Sequence, residues 1–111
     1  MPTYNKLVRD LIPDVIHQEG KAFETKILSD EDFNVELKKK LQEEVNEYMQ
    51  ADGDEALDEL ADMLEVMSVL AEEHGASIQE VEQRRNKKSE QRGSFYDKVY
   101  LVEVNDEDSP K

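Results

Sequence analysis

Apolar residues recur through the middle of the chain at helical rather than strand spacing. Phe33, Leu37, Leu41, Val45 and Tyr48 fall at intervals of four and three, the repeat of an amphipathic helix with one buried stripe. Ser29 or Asp30 is its expected N-cap, because a short side-chain oxygen there satisfies an otherwise unpaired amide. Asp52-Gly53 supplies the turn that ends it. A second helix, capped by Asp54, runs through Leu57, Leu60, Leu64 and Met67 to His74-Gly75, where glycine takes the left-handed conformation that closes a helix. Ser77 and Glu80 form an S-x-x-E capping box, and the third helix it opens continues to about Gln91, before Gly93.

The flanks carry weaker signals. Pro13 to Glu19 is a short helix stopped by Gly20, while Ala22–Leu28 and Lys98–Val104 have the composition of two short strands that could pair. Asn105–Lys111 is an acidic tail expected to fray. The expected architecture is all-α, a helical bundle with short extended segments near both termini, in one domain over residues 1–104 followed by the tail at 105–111.

A helical wheel, at about 100° per residue, puts acids where apolar side chains belong. In the first long helix Glu44 lies about 20° from Leu37, inside the stripe, and Glu47 lies on its margin at about 80°. In the second, Leu60, Leu64, Met67, Met63, Leu70, Val66 and Val69 sweep an arc of about 220° that predicts burial on most sides. Glu59 and Asp62 project from that arc, whereas Asp58, Glu65 and Glu72 share the narrow polar remainder.

Composition sharpens the problem. The 111 residues include 28 Asp and Glu against 14 Lys and Arg, a formal net charge of -14, and only 37% are hydrophobic. So small and acidic a chain has a thin core and is expected to self-associate. Its charge repels nucleic acid and anionic membranes and makes divalent cations the natural counter-charge. There is no cysteine, which excludes disulfides, thiolate metal sites and thiol nucleophiles. No apolar run approaches the roughly 18 residues of a membrane span, and Met1–Asp10 lacks the apolar core of a signal peptide, so a soluble cytoplasmic protein is expected.

An ionised carboxylate buried without a partner costs several kcal/mol, a large part of the roughly 5–15 kcal/mol that stabilises a small domain. Glu44 and Glu47 facing Glu59 and Asp62 would place four oxygen ligands in one gap, a site suited to Mg²⁺, with Mn²⁺ as substitute. The ordinary alternative is a solvated groove, or acids neutralised by basic side chains. A di-iron carboxylate bundle would need Glu-x-x-His, and neither His17 nor His74 has a glutamate three residues before it. Both histidines are read as surface or helix-end residues. Met49, Met63 and Met67 are read as core or interface filler, and Tyr48 and Phe95 as packing residues rather than base-stacking ones.

Against this acidity, Arg84, Arg85, Lys87, Lys88 and Arg92 crowd the end of the third helix. Basic residues there suit the helix dipole in any case. They could equally hold a polyphosphate through Lys87, Lys88 and Arg92, with Lys6 and Arg9 contributing from the N-terminal segment. A carboxylate metal site together with phosphate-binding cations describes phosphoanhydride hydrolysis by a metal-activated water. Glu47, on the stripe's edge, is the candidate general base, with Glu44 the second catalytic candidate. No Gly-rich phosphate loop is present, which excludes a P-loop enzyme.

Four landmarks carry a resemblance across most of the chain. They are Tyr4-Asn5-Lys6-Leu7-Val8-Arg9-Asp10 with Ile12-Pro13, Lys40-Leu41-Gln42-Glu43-Glu44-Val45-Asn46-Glu47, Asp58-Glu59-Leu60-Ala61-Asp62-Met63-Leu64-Glu65, and Lys87-Lys88 with Arg92-Gly93-Ser94-Phe95. With them the chain resembles the MazG-like all-α nucleoside triphosphate pyrophosphohydrolases, most closely the small single-domain members related to phosphoribosyl-ATP pyrophosphohydrolase. The resemblance implies Mg²⁺-dependent hydrolysis of a nucleoside triphosphate, often a non-standard one, to monophosphate and pyrophosphate. It further implies metal ligation by Glu44, Glu47, Glu59 and Asp62, phosphate contacts from Lys87, Lys88 and Arg92, and a homodimer or homotetramer whose helices complete the bundle. The gap between Glu47 and Glu59 is short for such proteins, implying a tight interhelix loop, and Leu11 stands where a basic residue is common. The alternative reading is a catalytically silent acidic helical module that binds a nucleotide or protein. An acidic decoy of nucleic acid is a third, which the basic cluster disfavours.

Overall fold

Ile12–Gln18 (α1), Asp30–Gln50 (α2), Gly53–Glu73 (α3) and Ile78–Arg92 (α4) follow one another along residues 3–105, the part of the chain that the computed structural model describes. Every regular element among these residues is a helix, so the all-α expectation is borne out. The chain divides after Ile78 into two compact units, the first built from α1, α2 and α3 and the second from the rest of α4 and the segment after it. No helix among the described residues is long and apolar enough to cross a membrane.

Local chemistry accounts for most of the helix ends. The Ser29 hydroxyl accepts a hydrogen bond from the Asp32 amide at 3.2 Å, and three acids fill the first turn of α2, where the helix dipole favours negative charge. At the end of α3, Gly75 at φ +75° donates to the Glu72 carbonyl and Ala76 to the Ala71 carbonyl. This paired closure uses a left-handed residue that only glycine adopts without strain. Gly20 closes α1 in the same way, through His17 and Ile16. The start of α3 departs from expectation. Asp52 rather than Asp54 is the capping residue, its side chain makes no capping bond, and Asp54 lies inside the first turn. The extended Ala51-Asp52 link feeds directly into Gly53 at φ +55°, so the helix begins two residues earlier than a cap at Asp54 allows.

That two-residue link folds α3 back along α2, as a short connection between packed helices requires. Leu37 and Ala71 are the buried apolar residues of the seam among those described, and Phe33, Leu41, Val45, Met63, Val66, Val69 and Leu70 are half-buried. The α2 stripe is therefore as the wheel placed it, except that Tyr48, like neighbouring Met49, is exposed near the helix end. The α3 arc splits in two. One side faces α2, whereas Leu57, Leu60, Leu64 and Met67 stay exposed within the chain, from 38% to 64%.

Neither expected strand forms. Residues 22–28 and 98–104 have no ladder among the described residues, and Ile27, Val99, Tyr100 and Val102 are almost fully exposed. Strand composition describes side chains that suit a half-buried pleated surface, and without a partner strand or a covering helix there is none. The acidic tail lies, from residue 106 on, outside the described residues.

Because Leu37 anchors so small a core, Leu37→Ala should lower stability by about 2–5 kcal/mol. Urea denaturation followed by circular dichroism measures this directly, and an unshifted midpoint would contradict the packing described.

Candidate metal centre

The interhelix link sets the register of the acids. Glu44 lies seven residues before Ala51 and Glu59 seven after Asp52, so each stands about 10 Å from the turn, at the rise of an α-helix. Asp62 lies one turn further along α3, on the face turned to α2. One carboxylate oxygen from each of Glu44, Glu59 and Asp62 falls within 4.8 Å of the others. Glu44 is buried, 5% exposed, and Glu59 and Asp62 are half-buried. Glu47 is exposed and outside this tight set, but close enough to act on Glu59. The structure thus joins three of the four expected ligands and leaves the fourth at the rim.

Two basic residues partly neutralise the set. Lys40, one turn before Glu44 on α2, places its ammonium 3.3 Å from Glu44 Oε1 and is itself largely buried. Arg9 Nη2 donates to Asp62 Oδ1 at 2.6 Å, and Lys6 Nζ lies 3.3 Å from Glu43 Oε1. Lys6 and Arg9, expected to face phosphate, are therefore found on carboxylates. Lys40 was legible in the sequence only as the residue one turn before Glu44, where an i, i+4 ion pair forms. Glu43 is the acid adjoining Glu44.

These cations do not suffice. Glu44 Oε2 and Glu59 Oε2 are buried without a hydrogen-bond partner, and no ion pair reaches Glu59 among the described residues. Glu59 answers by holding a proton. The neighbouring Glu44 carboxylate raises its pKa from the ordinary 4.5 to about 7, with burial and Glu47 adding to the effect, and it is in the ionised state that both oxygens are left without a donor. Two orphaned oxygens in a donor set made only of carboxylates fit a hard divalent cation, which is satisfied by oxygen ligands. An open depression of about 410 Å³, lined by Asn46, Glu47, Gln50, Ala51, Glu55 and Glu59, adjoins the Glu47 side.

In the second unit, Arg84 and Arg85 are taken up by acids of their own helix, Glu80 at 3.4 Å and Glu82 at 3.0 Å. Lys87 and Lys88 are exposed with no ion pair among the described residues, and Arg92 lines a concavity with the segment that follows it. Phe95 is 93% exposed, so the packing expected of it does not occur within the described chain.

A sequence model of the family described as phosphoribosyl-ATP pyrophosphohydrolase matches residues 5–89. That span includes Lys6, Arg9, all four acids and Lys87-Lys88, and stops short of Arg92. No curated protein and no solved structure matches the chain.

The proton on Glu59 has a thermodynamic consequence. Between about 4.5 and about 7 the folded protein binds it and the unfolded chain does not. The stability it contributes is therefore complete below the lower value and lost as pH rises through the upper one. Glu59→Gln, neutral throughout, removes that slope. In EDTA its Tm should rise relative to the unmodified protein on going from about pH 5 to about pH 8. A Tm difference that does not vary with pH would contradict the shared proton.

Proposed function

The chain belongs to the phosphoribosyl-ATP pyrophosphohydrolase family, hydrolases of a phosphoanhydride bond in a nucleotide, and from that premise we propose that it is a Mg²⁺-dependent nucleoside triphosphate pyrophosphohydrolase. Its products are the nucleoside monophosphate and pyrophosphate, and non-standard nucleotides are among its expected substrates. The observation that carries the reading is the pair of buried, unpartnered oxygens Glu44 Oε2 and Glu59 Oε2 beside Asp62. A fold that retains so costly an arrangement between its two main helices is matched to a cation that satisfies it.

Glu44, Glu59 and Asp62 would hold the cation, with Glu47 completing the set from the rim. The cation, when bound, supplies charge neutralisation at the phosphate oxygens and a more acidic water. The chain's own groups do the rest. Glu47, exposed and outside the tight set, is the general base that takes the proton from the attacking water. The water oxygen bonds to phosphorus, the α–β bridging bond breaks, and pyrophosphate leaves with the electron pair. Arg9 and Lys6 lie beside the acids and are suited to the polyphosphate, and Lys87, Lys88 and Arg92 are the further phosphate contacts of this reading.

Self-association belongs to the same reading. The stripe Leu57, Leu60, Leu64 and Met67 lies exposed along α3, and a second copy of the chain would cover it, completing the bundle as a homodimer or homotetramer.

Pyrophosphate and monophosphate release from a panel of standard and modified nucleoside triphosphates, with Mg²⁺ or with EDTA, tests the activity. Turnover should require the metal, and Glu44→Gln and Asp62→Asn should each reduce it by at least ~100-fold while circular dichroism stays unchanged. Full turnover in EDTA, or in either variant, would overturn the assignment.

A further inference from the structure

Of the two cations on the acidic centre, one is built in and the other is exchangeable. Lys40 and Glu44 share one helix at i, i+4, and both side chains are at least four-fifths buried. The Lys40 ammonium also lies 3.4 Å from Glu43 Oε2, so it stays among acids of its own helix. Arg9 reaches Asp62 from 53 residues away, through a single contact in which the arginine side chain is 57% and the aspartate 37% exposed. An ion pair so open to water is weak and easily traded for another partner.

We propose that Arg9 is the resident counter-cation of Asp62 in the cation-free protein, displaced when a divalent cation binds and thereby released to grip an anionic phosphate. The inference rests on the cation site proposed above and adds an order of events to it. Asp62 contributes one of the three oxygens that lie within 4.8 Å of one another. A guanidinium and a divalent ion on the same carboxylate repel each other at close range in a partly desolvated gap. Occupation of the centre therefore weakens the Arg9 contact, and the Arg9 contact weakens occupation by the same factor.

The backbone keeps the released side chain at hand. The Ile12 amide donates to the Arg9 carbonyl at 3.1 Å, in the turn that leads into α1. Lys6, three residues earlier, tethers the same segment to Glu43 of α2. The turn bond fixes the backbone around Arg9 and the Lys6 contact gives the segment a second point on α2, so the long Arg9 side chain can change partner beside the acids. A planar guanidinium so placed is suited to bidentate phosphate contact. The site would then present its anion-binding arm only after its cation has arrived, so that nucleotide without metal meets an acidic, Arg9-occupied centre.

Mn²⁺ binding to the full chain, followed by the electron paramagnetic resonance of the free ion at about 0.15 M salt, where long-range charge effects are screened, tests this without turnover. Arg9→Gln should bind Mn²⁺ about two- to fivefold more tightly than the unmodified protein, because its competitor is gone. Lys6→Gln removes the same charge from the same segment without vacating the three-oxygen set, and should change the affinity less. With Mn²⁺ saturating, Arg9→Gln should bind pyrophosphate more weakly than the unmodified protein. Equal or weaker Mn²⁺ binding by Arg9→Gln, an equal gain in Lys6→Gln, or undiminished pyrophosphate binding would overturn the exchange. If instead the unmodified protein bound no Mn²⁺, or bound it equally well as Glu44→Gln, the cation site itself would fall, and the exchange with it.

Discussion

Three carboxylates converge in the seam between α2 and α3, one of them buried, and the rest of the site is arranged around that concentration of charge. Like charges so close together in a partly desolvated gap repel strongly. The chain's own groups lower the charge in three different ways. Lys40 stands between Glu44 and Glu43, Arg9 reaches over to Asp62, and the pKa of Glu59 is raised to about 7. Once Glu59 is ionised, two buried oxygens, Glu44 Oε2 and Glu59 Oε2, have no donor. A fold selected for stability alone would place leucine at these positions, as it does elsewhere on the same faces.

The placement of the charge follows from a short link. Ala51 and Asp52 join α2 to α3, and Glu44 and Glu59 sit at matching distances from that turn. With so few linking residues there is little freedom in the register, and the acids are brought together by the same packing that buries Leu37 and Ala71. The structural core and the candidate metal centre thus occupy one seam, and the cost of the second is met from the stability of the first.

Helix positions and the acids inside the apolar faces were legible in the sequence because both follow from period and capping, which are local properties. Ser29, Gly20 and Gly75 mark their helix ends as expected. What period could not give is which partner covers each side of α3. An apolar arc records that Leu57, Leu60, Leu64 and Met67 avoid water, but within the described chain they stay exposed. The same limit explains the strands that do not form at residues 22–28 and 98–104, since strand composition needs a second strand that sequence alone does not locate. In the site, Glu44, Glu59 and Asp62 were legible as misplaced charges. The contacts of Lys6 and Arg9 with Glu43 and Asp62 were not, because a pairing across tens of residues depends on how an irregular N-terminal segment lies over two helices.

The central claim is that the α2–α3 seam is a divalent-cation site. Anomalous diffraction from crystals of the full chain grown with Mn²⁺ tests it most directly, because the signal locates the ion independently of any assay. The account predicts a peak coordinated by oxygens of Glu44, Glu59 and Asp62. A map with no peak in that gap at saturating Mn²⁺, or with the ion held only by acids elsewhere on the chain, would contradict it.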